Sequence, residues 1–146
     1  MSFYVDTSVL VAYYCPEPLS DKAEKFLTTH RQPAISALAE LELFSAVSRK
    51  VREGGISKRD ANRIIATFVS HKDNKLYTYL AIQPYHYTLA RDWIGLFTLG
   101  LKSLDALHLA IASSEELTIV SVDRSLLRSA EAMGLKAIHL IAQDRK

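Results

Sequence analysis

The sequence predicts an α/β protein whose central parallel sheet is enclosed between two layers of helices, a three-layer α/β/α arrangement. Three observations predict it. Short apolar strands alternate with longer helical patterns, the order that successive βαβ units require. Thr118-Ile119-Val120-Ser121-Val122 is rich in β-branched residues, as in a strand buried on both faces. Acidic residues, Asp6 and Asp123 among them, follow the strands, where open parallel sheets build their sites.

Phe3-Tyr4-Val5 is a short strand closed by Asp6, and Thr7-Ser8 offers a cap for a brief helix, Val9 to Tyr14, stopped by Pro16 and Pro18. Ser20 is placed to cap a helix reaching about Thr28, and Pro33 to Ser36 reads as a second strand. In the next helix Leu41, Phe44, Val47 and Val51 recur on one face, and Gly54-Gly55 ends it. Ser57 opens an amphipathic helix with Ala61, Ile64, Ile65, Phe68 and Val69 on one side. Leu76 to Ile82 reads as a strand, and Gln83-Pro84 opens a helix through about Leu99, ended by Gly100. Ser103 is placed to cap a helix carrying Asp105 to Ser114; after the Thr118 strand come a helix from Arg124 to Met133 stopped by Gly134 and a last strand, Lys136 to Ile141. Gln143 to Lys146 reads as a frayed tail.

The chain has 146 residues, 49% of them hydrophobic and 23% charged, which suits one globular domain, 1–146, with a sizeable core. A formal charge of +2 is too mild to identify a nucleic-acid partner by itself. The single Cys15 excludes an internal disulfide and suits a reducing cytosol. No run reaches the ~18 apolar residues of a membrane span. The apolar N-terminus carries Asp6 and lacks a basic start, unlike a signal peptide, so a soluble cytoplasmic protein is expected.

Asp6, Glu42, Asp105 and Asp123 are far apart in sequence, yet each lies where an apolar element meets a polar turn. Gathered in one pocket they would repel, and a cation or shared proton is what offsets that cost. Oxygen donors without thiolates favour a hard divalent ion, Mg²⁺ or Mn²⁺. The residues therefore suggest a metal-dependent phosphodiester hydrolase acting on nucleic acid. Glu40 competes with Glu42, because each lies about 100° to one side of Leu41. Glu42 neighbours Ser45, Ala46 and Arg49, small enough to leave room for an ion, whereas Glu40 faces Leu43, Phe44 and Val47.

Read together, Phe3-Tyr4-Val5-Asp6-Thr7-Ser8, Ile35-Ser36 with Glu42 six residues on, Leu104-Asp105-Ala106-Leu107-His108-Leu109-Ala110, and Ser121-Val122-Asp123 with Gly134-Leu135 resemble the PIN-domain ribonucleases, and most of all the VapC toxins of VapBC toxin–antitoxin modules. The resemblance spans nearly the whole chain. It implies a PIN-like fold, Mg²⁺ or Mn²⁺ held by Asp6, Glu42, Asp105 and Asp123, cleavage within RNA, a homodimer, and inhibition by a VapB-like antitoxin. The six-residue step from Ser36 selects Glu42 over Glu40, and Ser8 and Ser121 match small hydroxyl positions near the metals; family members often carry Thr where this chain has Ser121.

His108, one turn from Asp105, is assigned to packing or to a hydrogen bond beside the site, since oxygen-rich Mg²⁺ sites rarely use imidazole. The remaining histidines show no zinc spacing. Arg49, Lys50, Arg52, Lys58, Arg59, Lys102 and Arg124 are candidate phosphate contacts, with Arg49 and Arg124 foremost because they neighbour Glu42 and Asp123. The alternative is a PIN-like module that binds RNA or protein with little catalysis; retention of all four carboxylates counts against it. A receiver domain would need an acidic pair after the first strand, and a haloacid-dehalogenase-type phosphatase an Asp-x-Asp, where this chain has Asp6-x-Ser8.

Overall fold

The computed structural model of the chain describes residues 2–141. Its elements run β1 (Phe3–Val5), α1 (Thr7–Tyr14), α2 (Ser20–Thr29), β2 (Ala34–Ser36), α3 (Ala37–Arg52), α4 (Lys58–Asp73), β3 (Thr78–Leu80), α5 (Pro84–Ile94), α6 (Ser103–Ser114), β4 (Thr118–Ser121), α7 (Arg124–Ala132) and β5 (Ala137–His139). The strands form one five-stranded sheet in the order β3-β2-β1-β4-β5, every pair parallel. The expected three-layer α/β/α fold is present.

The pleat divides the core. Val5, Ile35 and Val120 point to one face, where they pack with Val9 and Leu10 of α1, Phe26 of α2, Leu43 and Val47 of α3 and Phe68 of α4. Tyr4, Ala34 and Ile119 point to the other, against Ala90 of α5, Leu107, Leu109 and Ile111 of α6, and Leu126 of α7. Because β1 connects first to β2 on one side and pairs with β4 on the other, the strand order reverses between β1 and β4. The carboxyl ends of these two strands therefore flank the crevice where open α/β sheets bind ligands.

Several sequence expectations are corrected. Leu41 is 68% exposed and Phe44 is also exposed; the buried ridge of α3 is Leu38, Ala39, Leu43 and Val47. Ser36 caps α3 with its hydroxyl on the Ala39 N–H, and this strand exit turns the helix so that its first-turn apolar residues face inward. Helix α5 stops at Ile94 rather than Leu99, because Gly95 is its C-cap and Phe97 adopts a left-handed φ of 59° that no helix continues through. Strand β3 is trimmed to an edge of three residues and β5 to Ala137–His139. The cap of α1 is Asp6, not Thr7 or Ser8. Ser20 and Ser103 are each the first residue of their helix, and neither of the preceding residues, Leu19 and Lys102, makes a side-chain cap bond. Gly54, with φ +79°, ends α3 as expected, letting the Gly55 N–H reach the Lys50 carbonyl at 2.8 Å. The expected tail, 143–146, lies outside the described residues.

Candidate active site

Asp6 leaves β1 at the reversal of strand order; its N–H donates to the Val120 carbonyl at 3.1 Å, extending the β1–β4 ladder by one residue. Its side chain is 4% exposed. The Ser8 hydroxyl donates to Oδ1 at 2.5 Å, and the Ser121 hydroxyl, at the end of β4, donates to Oδ2 at 2.5 Å. Burial pushes the Asp6 carboxyl above its ordinary value, and the two serine hydroxyls only partly offset this. Ser121 also accepts the Asp123 N–H at 2.9 Å, and Ser8 accepts the Val122 N–H at 3.1 Å. The two serines thus tie both strand exits to one carboxylate.

Glu42 lies on α3 six residues after its cap, Ser36. Its Oε1 accepts from the Thr7 hydroxyl at 2.5 Å and stands 2.6 Å from His108 Nε2. Burial works against ionisation of Glu42, but the bonds from His108 and Thr7 prevail and hold its carboxyl below the ordinary value. Glu40 points elsewhere, to Lys72 Nζ at 3.1 Å and the Tyr79 hydroxyl at 2.5 Å. The two glutamates thus differ in their partners: Glu40 pairs with Lys72 and Tyr79, and Glu42 with Thr7 and His108.

Asp105 sits in the first turn of α6. Burial raises its carboxyl, and the Asp123 and Glu42 carboxylates raise it further against the pull of His108 and Lys102. Asp123 and Glu42 are thus both close enough to act on the ionisation of Asp105. Asp123 caps α7, with Oδ1 accepting the Ser125 N–H at 2.9 Å and the Leu126 N–H at 3.3 Å. Among the described residues no group of three or more His, Cys, Asp or Glu side chains stands where it could hold a metal ion. The proximity that the structure does give is electrostatic, with Asp105 near enough to Asp123 and Glu42 to feel their charge.

A groove of about 470 Å³ leads from Glu42 past Thr7 and Ser8 to Arg49 and Lys50, with Leu104 and Val122 on its walls. Arg124 opens α7 and is exposed, with no hydrogen bond or ion pair among the described residues. A larger cavity of about 560 Å³ opens by Gln32 and Tyr77 at the amino ends of the strands, with no carboxylate in its lining. Sequence reasoning missed Thr7, taken as a cap, and Tyr4, taken as strand core. Tyr4 is fully buried, with its hydroxyl 2.6 Å from His108 Nδ1 and 2.7 Å from Ser36 Oγ. The available signal was a phenol inside a buried strand, which needs a polar partner.

A parallel α/β domain with carboxylates at the reversal of its strand order belongs to the broad class of acidic-site α/β proteins. More narrowly, the chain belongs to the PIN-domain family, whose sequence profile matches residues 3–132. PIN domains are generally nucleases. No curated protein matches the chain in sequence. Its fold is shared with FitAcB from Neisseria gonorrhoeae (TM-score 0.71, 16% identity, covering 95% of this chain and 98% of that one). It is also shared with VapC20 from Mycobacterium tuberculosis, a sarcin–ricin-loop-cleaving toxin (TM-score 0.70, 16% identity, 94% and 99% covered). A third likeness is PAE2754 from Pyrobaculum aerophilum (TM-score 0.69, 23% identity, 98% and 86% covered). Among the described residues no helix is long and apolar enough to cross a membrane.

Proposed function

We propose that this chain, as one domain, is a metal-dependent endoribonuclease and the toxin of a type II toxin–antitoxin pair. The observation that carries the reading is Asp6 at the β1–β4 strand reversal, together with Asp105, raised by burial and by its neighbours Asp123 and Glu42, in a chain of the PIN family. The donor chemistry suits Mg²⁺ or Mn²⁺: the donors are all oxygens, and burial and neighbouring carboxylates both disfavour a bare charge on Asp105. Asp6, Glu42, Asp105 and Asp123 would hold the ion. When bound, it polarises a water for attack and neutralises charge on the phosphodiester.

The protein's own contribution is placement. Ser8 and Ser121 lock Asp6, and Thr7 and His108 engage only Oε1 of Glu42. The Ser125 and Leu126 N–H groups engage only Oδ1 of Asp123. Glu42 Oε2 and Asp123 Oδ2 therefore have no hydrogen-bond partner among the described residues. Arg49 and Lys50 along the groove attract the phosphate backbone, and Arg124 beside Asp123 adds a second cationic edge. Attack by water, without the RNA 2′-hydroxyl, leaves a 5′-phosphate and a 3′-hydroxyl.

VapBC2 from Rickettsia felis and the FitAB complex were solved with DNA bound, and such neighbours support a VapB-like antitoxin partner here. The same reading includes a homodimer working in the cytoplasm. The test is cleavage of total cellular RNA by purified, antitoxin-free protein with Mg²⁺ or Mn²⁺, with EDTA, and with Asp6→Asn. Discrete fragments lost with EDTA and in the variant support the nuclease. No cleavage by folded protein would replace it with the binding-module reading, and 2′,3′-cyclic phosphate ends would overturn the water attack.

A further inference from the structure

We infer that Tyr4 and His108 are positioning residues for Glu42, together setting which of its oxygens faces the crevice. The inference rests on the reading of Glu42 as a metal ligand and deepens it. Tyr4 is 0% exposed and His108 4% exposed, so water cannot substitute for the bonds they make. The Tyr4 hydroxyl lies 2.6 Å from His108 Nδ1, and His108 Nε2 lies 2.6 Å from Glu42 Oε1. The rings are tilted at 51° with centroids 5.8 Å apart, so the contact is made through hydrogen bonds at their edges rather than by stacking.

The direction of each bond follows from its ends. The Ala39 N–H donates to Ser36 Oγ at 3.1 Å, and an ionised Glu42 only accepts. His108 must therefore donate from Nε2. A ring with no proton on Nδ1 takes the Tyr4 O–H there, and a ring with one donates it to the Tyr4 oxygen. In both cases the proton on Nε2 faces Glu42 and Tyr4 holds the opposite edge of the ring. The opposite ring tautomer would aim two lone pairs at each other across 2.6 Å.

The consequence falls on Glu42. Thr7 and His108 both donate to Oε1, and Oε2 has no hydrogen-bond partner among the described residues. Glu42 is thus presented as a ligand through one oxygen, not as a chelating carboxylate. Groups that orient a ligand in this way commonly change metal affinity by about tenfold or more when removed.

The probe is Mn²⁺ alone, its free concentration read by electron paramagnetic resonance against the purified full chain. Tyr4→Phe and His108→Asn, each verified as folded by thermal melting, are expected to weaken Mn²⁺ binding by about tenfold. His108→Gln, whose amide N–H reaches close to the Nε2 position, is expected to restore part of that loss. Nitrogen-15 imidazole shifts of the unaltered protein should show the His108 proton on Nε2, a readout that needs no variant. A proton on Nδ1 and none on Nε2 overturns the inference. So does unchanged Mn²⁺ binding in folded Tyr4→Phe and His108→Asn while Asp105→Asn loses it, an outcome that leaves the nuclease reading standing. Failure of the unaltered protein to bind Mn²⁺ overturns both.

Discussion

Ser121 and Asp6, separated by 115 positions in sequence, meet through a hydroxyl-to-carboxylate bond of 2.5 Å across the junction of β1 and β4. Both residues are buried, so the bond closes the sheet's central seam and fixes the site's deepest acid at once. Ser121→Ala would leave Oδ2 without that donor in a place water does not reach. Unfolding by urea is expected to show a loss of about 1–3 kcal/mol, the cost of an orphaned buried polar group. RNA cleavage should fall with it. Unchanged stability would mean that Asp6 is held by Ser8 alone.

The two glutamates of α3 should separate cleanly. Glu42→Gln is expected to lower RNA cleavage by roughly 100-fold or more, beyond what outer hydrogen-bond partners of a metal usually cost. Glu40→Gln should leave cleavage intact and cost at most about 1 kcal/mol of stability, since its Lys72 partner is 31% exposed and Glu40 itself 22%. Equal losses of cleavage in the two variants would contradict the separation.

Acidity gives a signed prediction for protein kept in EDTA. Burial and the neighbouring carboxylates raise Asp105, so the folded state holds its proton more tightly than the unfolded chain does. Stability from this group is present below the unfolded value, near 3.9, and is lost as pH rises through the higher folded value. Asp105→Asn should therefore raise the melting temperature at neutral pH, and the gain should vanish at about pH 3.5. Added Mn²⁺ should raise the melting temperature of the unaltered protein and not that of the variant. A variant stabilised as strongly by Mn²⁺ as the parent would remove Asp105 from the ion site.

Arg49 lines the groove that starts at Glu42. In the Asp6→Asn background, which on the proposed reading should bind RNA without cutting it, Arg49→Ala is expected to weaken binding of unrelated single strands alike. The slope of log affinity against log salt should fall by about 0.7, one phosphate contact on a single strand. Sequence-selective loss instead would make Arg49 a base reader.

The order of elements, and the places of Asp6 and Asp123 at strand ends, were legible because they rest on local signals: β-branched runs, cap residues, and carboxylates at strand ends. What was illegible depended on phase and distance. Leu41 and Leu38 each belong to an apolar series along α3, and only the exit from β2 decides that Leu38 turns inward. The end of α5 depends on Phe97 entering a left-handed conformation that its type does not announce. His108 makes the hydrogen bond beside the acids that was one of its expected roles, but its two partners are 104 and 66 positions away, beyond the reach of any periodicity. Glu40 and Glu42 differ by partners on α4 and β3 for one and α1 and α6 for the other, a distinction made only by the assembled fold.

The central place of β1 in the sheet has a temporal meaning. On the ribosome, Asp6 and Glu42 are made early, but the neighbour that β1 needs on its far side, β4, and the acids Asp105 and Asp123 are made late. Until that last third of the chain has emerged, Asp6 lacks the Ser121 hydroxyl and two of the four acids do not yet exist. On the proposed nuclease reading, a growing chain would therefore be unable to cut the message still being read, and that capacity would arrive only at the end of synthesis.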